Sequence, residues 1–233
     1  MAKQDRAIRT RQSILVAAAR VFEERGYQAA TISEILAAAG VTKGALYFHF
    51  QSKEDLAEGV LAEQDQQLAV PSRACKVQEL ADVVLLHAYR LQTDPMVRAG
   101  VRLALDQRAQ GLDRSGPFLR WREIGTDLLM RAQVQGELLP HVDPAETAGI
   151  VVGSFAGIQA MSQALTDYQD LTLRVSELLR HLLPSITMSS VLTALDLTPQ
   201  RGEKVCTEIE QERLELAAQE ERDAARQEPA TVS

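Results

Sequence analysis

The sequence predicts an all-α protein, with a small N-terminal unit of short helices followed by a larger helical bundle. Ala, Leu, Glu, Gln and Arg are abundant while aromatic residues make up only 4% of the chain, and this composition favours helix over strand. Helix-start signals recur, with Pro behind a capping side chain as in Asp94-Pro95 and Asp143-Pro144. No segment shows the sustained period-two alternation of a half-buried strand.

The first helix is predicted over residues 6–25. Ile14, Ala18, Val21 and Phe22 fall on one face at helical spacing. Gly26 follows the last turn and is expected to end the helix in a left-handed conformation.

Two shorter helices follow in quick succession. Residues 31–34 (Thr-Ile-Ser-Glu) form a capping-box pattern that begins the second helix, and its predicted apolar side comprises Ile32, Ile35, Leu36 and Ala39. Gly40 lies at the turn, and the third helix begins at Thr42 or Lys43. Two short helices joined by a Gly-containing turn form a helix-turn-helix.

A fourth helix is capped by residues 52–55 (Ser-Lys-Glu-Asp) and runs to about residue 66, before a break at 67–75. Further helices are predicted near 76–92, 95–109, 117–135, 143–165, 169–183, 186–195 and 199–226. We therefore expect a helix-turn-helix domain at 1–53, a second domain at 54–226 and a disordered tail at 227–233.

Charge is distributed unevenly along the chain. The total is −7, yet residues 1–53 hold eight Lys or Arg against four Asp or Glu, a net +4 that leaves −11 for the rest. A basic head on an acidic body predicts that the head alone meets a polyanion such as double-stranded DNA.

The third helix carries the groups that meet phosphates and base edges in a major groove. Leu46, and Phe50 in part, are expected to fill the core of the small domain. Lys53 lies in the first turn of the fourth helix, where an exposed lysine is better placed to serve a phosphate than the helix itself. The candidate DNA-binding residues are Thr31, Thr42, Lys43, Gly44, Tyr47, His49 and Lys53.

Residues 8–56 resemble the DNA-binding domain of the TetR family of bacterial regulators. The matching positions include Gly26-Tyr27, Ala39-Gly40-Val41, Lys43-Gly44, Leu46-Tyr47, Phe50, Ser52-Lys53 and Leu56. The form of residues 42–50, with segments 97–103, 116–118, 155–159 and 168–171, is most similar to the γ-butyrolactone autoregulator receptors of streptomycetes. The resemblance implies an all-helical homodimer with one ligand pocket per subunit, whose DNA binding is released by a small lipophilic signal.

Trp121 is the only tryptophan of the chain. From the residues alone it belongs either to the core or to a ligand wall, and the resemblance to receptors with a pocket tryptophan favours the wall. Its indole would offer a broad apolar face and one N–H donor. Gln64 is a further candidate, with a solvated surface position as the alternative. Gln159 and Ser162 are also candidates, and the sequence leaves open how they divide between the pocket and the dimer interface. His87 and Tyr89 are expected in a plain core or surface role, with a place near the ligand as the alternative.

Gly149, Gly153 and Gly157 recur at four-residue intervals within one predicted helix. Three glycines cost a helix roughly 1 kcal/mol each relative to Ala, so close packing against another helix should compensate. That helix belongs either to the same subunit or to a partner, and the resemblance favours a dimer interface.

Several other classes of protein find no support in the sequence. The N-terminal residues 1–12 lack the apolar run of a signal peptide, and no stretch approaches the ~20 apolar residues of a membrane span. Cys75 and Cys206 fit no metal or redox spacing, the four histidines form no metal pair, and no catalytic or cofactor motif is present. We expect no enzyme activity, no metal, no cofactor, and a cytoplasmic location at the nucleoid. The C-terminal helix, dense in Glu and Arg, is a solvated docked helix or an acidic partner-binding tail.

The resulting functional hypothesis is a dimeric repressor on a pseudo-palindromic operator, released by a γ-butyrolactone-type molecule and controlling antibiotic production or development. The alternative is a pseudo-receptor of the same fold that responds to an antibiotic, a butenolide or a furan. A third class, an enzyme with an accessory DNA-binding head, lacks any nucleophile or cofactor motif to support it.

Overall fold

The computed structural model describes residues 2–65, 70–105 and 115–227, and this part of the chain folds into eleven α-helices. The helices are α1 (Ala2–Arg25), α2 (Ile32–Ala39), α3 (Lys43–His49), α4 (Lys53–Asp65), α5 (Lys76–Thr93), α6 (Pro95–Leu105), α7 (Ser115–Val134), α8 (Pro144–Thr166), α9 (Leu171–Leu182), α10 (Ser189–Leu192) and α11 (Arg201–Gln227). No strand occurs among the described residues, where a single isolated bridge pairs Leu138 with Thr187. The predicted all-α class is confirmed.

The head, α1–α4, is held by caps that the sequence specifies locally. Thr31 accepts a hydrogen bond from the Glu34 N–H while the Glu34 carboxylate accepts from the Thr31 N–H, which completes the predicted capping box. Gly26 (φ +78°) and Gly40 (φ +64°) both adopt the left-handed conformation that a side chain would disfavour. The predicted buried face of α1 is confirmed, since Ile14, Ala18, Val21 and Phe22 are buried.

The core of the head extends well beyond residue 53. Leu56, Val60 and Leu61 of α4 are buried in it, together with Ala99, Leu103 and Ala104 of α6. The helix α6 therefore packs against α1 and α4 although it comes after the break in the chain. Residues 66–69, which include the start of the predicted break at 67–75, and the tail from 228 onward lie outside the described residues.

The body, α5–α11, surrounds α5, which is buried along almost its whole length. Helices α7, α9 and α11 pack directly on α5, and α8 packs on α7 and α9. Arg201 donates to the fully buried Asp82 carboxylate from Nη2 at 2.7 Å and from Nε at 2.8 Å. Arg73 donates to the same carboxylate from its Nε at 2.7 Å. These bonds, with the absence of a side chain at Gly202, allow α11 to lie close to α5.

One predicted helix is shorter than expected. Of the helix predicted over 186–195, only the four-residue α10 is present, and a 3-10 turn, Leu183–Ser185, precedes it. The Leu139 N–H donates to the Ile186 carbonyl at 2.9 Å, and Thr187 pairs with Leu138 in the bridge. Because these backbone groups bond to the α7–α8 loop, the helix begins only at Ser189.

Candidate functional sites

The short helix α3 is fixed at both ends. Thr42 accepts a hydrogen bond from the Ala45 N–H at 3.3 Å, and the Phe50 N–H closes the last turn on the Leu46 carbonyl at 2.9 Å. Leu46 and Phe50 are buried in the core of the head, as predicted. A seven-residue helix is unstable alone, so these two anchors hold its opposite face outward.

The outward face of α3 carries one cation, two aromatic rings and a glycine. Lys43 is exposed, and its Nζ lies 5.8 Å from the centre of the Tyr47 ring, which is 42% exposed. No atom lies within 4 Å of the position that a Cβ on Gly44 would occupy, so the backbone is open to close approach. His49 is half-buried at the end of the helix. The structure thus brings four of the predicted DNA-binding residues together on one short surface.

Phe48 belongs to this surface although the predicted set omits it. Its side chain is 79% exposed, and its ring meets His49 edge-on at 5.0 Å. An exposed Phe on a major-groove helix is suited to contact a thymine methyl group. Phe48 follows Gly44 by four residues, so helical spacing alone places it beside that glycine.

Thr31 and Lys53 are engaged in contacts within the head. The Thr31 hydroxyl donates to Glu34 Oε2 at 2.8 Å, and these bonds lower the pKa of Glu34. Lys53 is half-buried rather than exposed, because its Nζ lies 4.6 Å from the centre of the Tyr27 ring and donates to the Gln28 carbonyl at 3.2 Å. Burial lowers the pKa of Lys53. An ammonium group has three donors, so its predicted role toward phosphate stays a prediction.

An apolar cleft opens in the body between α5, α6, α7 and α8. The empty space between its walls, including the mouth toward solvent, is about 590 Å³. The described lining residues are Val84, His87, Val101, Ala104, Leu105, Pro117, Phe118, Trp121, Val151, Val152, Phe155, Ala156 and Gln159. Trp121 and Gln159 therefore lie where a ligand pocket was predicted.

His87 also lies in the wall of this cleft, the place that the sequence left as the alternative to a core or surface role. Its ring lies 4.5 Å from that of Trp121 and 5.2 Å from that of Phe155. Burial, aided by the positive charge of Arg90, lowers the pKa of His87 to about 3. The residue is therefore buried in the wall of the cleft, and a role toward a ligand stays a prediction.

Two other candidates differ from expectation. Ser162 is absent from the lining of the cleft because its hydroxyl is buried at the α8–α9 turn and donates to Asp170 Oδ1 at 2.6 Å. The predicted ligand role of Ser162 is thus replaced by a structural bond. Gln64 lies near the end of α4, and its side chain falls outside the described residues.

The glycine stripe of α8 is open rather than packed within the subunit. No atom lies within 4 Å of a Cβ built on Gly153 or Gly157, and the nearest atom to one on Gly149 is Arg122 Cδ at 3.9 Å. Large apolar side chains are exposed along the same helix, including Ile150 (53%) and Leu165 (65%). The described part of the subunit therefore leaves an apolar face of α8 uncovered.

By length and composition α8 also passes as a membrane span, which is weak evidence on its own. This differs from the expectation that no such stretch exists. Among the described residues no group of three or more His, Cys, Asp or Glu side chains is placed to hold a metal ion.

Models of known protein families match both the head and the body of the chain. Residues 14–60 match the family model "Bacterial regulatory proteins, tetR family", and residues 78–187 match "Tetracyclin repressor-like, C-terminal domain". The sequence is 40% identical to the A-factor receptor protein of Streptomyces griseus over 227 residues, covering 94% of this chain and 80% of that protein.

Solved structures agree with these matches. The crystal structure of TylP, a TetR regulator from Streptomyces fradiae, superposes with a TM-score of 0.81 at 45% identity, covering 88% of this chain and 99% of that one. A γ-butyrolactone receptor described as ArpA-like superposes with a TM-score of 0.60 at 31% identity, covering 89% and 98%. A helix-turn-helix head on a helical body is the architecture of a DNA-binding transcriptional regulator. The chain belongs to the TetR family of DNA-binding transcriptional regulators.

Proposed function

We propose that this protein is a dimeric repressor that leaves its operator when a γ-butyrolactone-type molecule binds in the cleft around Trp121. The observation that carries the proposal is the position of α6. Val101, Ala104 and Leu105 of this helix line the cleft, while Ala99, Leu103 and Ala104 are buried in the core of the head. A ligand that displaces α6 therefore acts on both cores.

The DNA half of the proposal rests on α3. Its outward face offers Lys43 for a guanine edge or a phosphate and Tyr47 for a phosphate oxygen. Gly44 lets the backbone approach, and the exposed Phe48 suits a thymine methyl group. In a two-fold dimer, two copies of α3 reach successive major grooves about 34–36 Å apart, so the operator should be pseudo-palindromic.

The dimer half rests on the open face of α8. A stripe of glycines lets a second helix approach closely, and the exposed Ile150 and Leu165 would be buried by that contact. We assign this face to the interface between two subunits, in agreement with the use of this region by TetR-like proteins. A partner also accounts for the apolar character of α8 without a membrane.

The ligand half rests on the walls of the cleft. They are mainly aliphatic and aromatic, with polar groups only from His87, Trp121 and Gln159 among the described lining residues. Such a site fits a small lipophilic molecule with one polar head. The similarity to the A-factor receptor and to a γ-butyrolactone receptor supports a lactone as that head. The protein would then act in the cytoplasm at the nucleoid and control antibiotic production or development.

Release follows from population shift. A ligand that prefers the conformation in which the two heads are apart weakens operator binding only by its difference in affinity for the two conformations. The helix α4 belongs to the head and packs on α6, so both helices connect the cleft to the head.

The test is operator binding measured by fluorescence anisotropy with the full-length protein. Genomic fragments that it retains supply the operator, and a butyrolactone, a butenolide and a furan are titrated against the complex. Release by the butyrolactone alone supports the proposal, and release by one of the other two selects the pseudo-receptor alternative. A complex that withstands all three overturns the ligand half and leaves the DNA half intact.

A further inference from the structure

The wall of the cleft contains a buried polar atom that has no hydrogen-bond partner. His87 is only 6% exposed, and its Nδ1 bonds to no atom in the described part of the chain. Buried polar side-chain atoms are hydrogen-bonded in the large majority of cases. An unpaired nitrogen on a residue that lines a cleft is a group that a ligand can satisfy. Because Nδ1 has almost no accessible surface, the ligand reaches it by taking the place of a neighbouring side chain.

The ring of His87 is held in place by its neighbours. Trp121 lies against it at 4.5 Å with the ring planes tilted by 51°, and Phe155 lies at 5.2 Å with a tilt of 42°. Two aromatic contacts on different helices, α7 and α8, restrict rotation of the imidazole. The nitrogen is thus a fixed group rather than one that turns to find another partner.

The described residues around this nitrogen carry no charge into the cleft. None of its described lining residues is Lys, Arg, Asp or Glu. The pKa of His87, lowered to about 3 by burial and by Arg90, keeps the imidazole neutral at physiological pH. A neutral imidazole has one N–H donor and one acceptor nitrogen, so it bonds a hydroxyl or carbonyl group but supplies no positive charge to a carboxylate.

We infer that His87 is a specificity-determining residue that makes this cleft select an uncharged lipophilic ligand over the corresponding carboxylate. For a lactone, the closed ring is accepted and the ring-opened hydroxy acid is rejected, because a carboxylate would lose its hydration without gaining a counter-ion. The inference rests on the proposed function for the lactone class, and on the cleft itself for the charge selectivity.

The test compares a lactone with its own hydrolysis product, γ-decalactone and 4-hydroxydecanoate, at pH 7.5. Binding to the full-length protein is followed by the fluorescence of Trp121, which is the only tryptophan and lies in the cleft. We expect the lactone to bind about 100-fold more tightly than the hydroxy acid.

Two variants of equal size separate polarity from shape. His87→Asn keeps a polar group near the position of Nδ1, whereas His87→Leu has the same branching without it. We expect His87→Leu to bind the lactone about tenfold more weakly than His87→Asn, the effect of one hydrogen bond between neutral groups. If His87 were only structural, both variants would lose stability, and their affinities for the lactone would be equal.

The outcomes are separable from those of the proposed function. Equal affinity for lactone and hydroxy acid, no binding of the lactone, or equal binding by the two variants overturns the inference. The first comparison needs only the wild-type protein and stands if a variant fails to fold. Operator release is measured in parallel: a lactone that binds selectively without releasing the operator overturns the repressor mechanism and leaves the selectivity of the cleft intact.

Discussion

Arg98 of α6 forms a salt bridge with Glu23 of α1, with 2.5 Å between Nε and Oε1. Both side chains are about a quarter exposed. The same guanidinium donates to the carbonyls of Leu91 and Gln92 at the end of α5, at 3.3 and 3.0 Å. One arginine therefore ties the helix that lines the cleft both to the head and to the central helix of the body.

Replacement of this carboxylate should loosen the coupling between ligand and DNA. In Glu23→Gln the charge is removed while the shape is kept, so α1 follows α6 less closely. We expect the ratio of operator affinities without and with saturating ligand to shrink by about threefold or more, a fraction of a typical coupling free energy of ~1–3 kcal/mol. Ligand affinity should change little. The control is Asp127→Asn, which breaks the exposed Arg131–Asp127 pair on α7, and an equal effect there would contradict the assignment.

Lys43 should contribute strongly to operator recognition. Lys43→Ala is expected to weaken specific binding by ~1–3 kcal/mol if the side chain reads a base, with little loss on unrelated DNA. Titrations at several salt concentrations separate the two kinds of contact, because loss of a phosphate contact weakens all sequences and reduces the salt slope by about 1. Arg180→Ala, at an exposed position on α9, is the matched charge control. Unchanged operator affinity in Lys43→Ala would show that Lys43 does not contact the DNA.

The glycine stripe should tolerate no bulk if it forms the dimer interface. In Gly157→Leu a large side chain stands where the subunit itself leaves open space, so the isolated subunit should fold normally while the second helix is held away. Analytical ultracentrifugation should show monomers, and operator affinity should fall with dimerisation. Ala217→Leu adds bulk at an exposed position of α11 and should remain dimeric. A dimeric Gly157→Leu would place the interface elsewhere.

Gly202 should be required for the docking of α11. A Cβ there would overlap the Leu85 carbonyl oxygen and lie 2.9 Å from Tyr89 Cβ. Since backbone cannot yield as a flexible side chain does, Gly202→Ala should lower the free energy of unfolding by about 1–3 kcal/mol. Urea denaturation measures it. Gly116→Ala, where no atom lies within 4 Å of the added Cβ, should cause no such loss.

His87 should make the protein sensitive to acid. Its pKa is about 3 in the folded protein against 6.5 as the reference value, so between these values the unfolded chain binds a proton that the folded one does not. The free energy of unfolding therefore falls as pH drops below 6.5, by up to about 1.4 kcal/mol per unit.

In His87→Leu that contribution disappears, and the loss of stability between pH 6.5 and pH 5 should be smaller by about 2 kcal/mol. Urea titrations at the two pH values measure the difference. The control His141→Leu, at an exposed position, should keep the wild-type pH dependence. Parallel curves for wild type and His87→Leu would contradict a neutral buried His87.

Features set by neighbouring residues were predictable from the sequence. Two caps depend on groups only three positions apart. They are the capping box of Thr31 and Glu34, and the bond from the Glu146 N–H to the Asp143 side chain. The left-handed turns at Gly26 and Gly40 follow from the lack of a Cβ. These caps and turns position α3, so the surface that it presents was largely foreseeable.

Features set by distant contacts were not predictable. Whether His87 faces a core or a cleft depends on how α7 and α8 pack against α5. The Ser162 bond to Asp170 requires the α8–α9 turn, where Asp167 (φ +50°) and Tyr168 (φ +66°) are left-handed without being glycine. Lys53 is half-buried because the loop after α1 folds back over the start of α4. None of these leaves a periodic signal in the chain.

The sharing of α6 between two cores bears on how this head can be transplanted. A fragment that ends with α4 would lose Ala99, Leu103 and Ala104, and would expose the apolar side chains of α1 and α4 against which they pack. Such a fragment should aggregate rather than bind DNA as a free-standing module. A chimaera that grafts this head onto a foreign sensor must therefore carry α6 with it, and the exchangeable unit runs to about Leu105 rather than to residue 53.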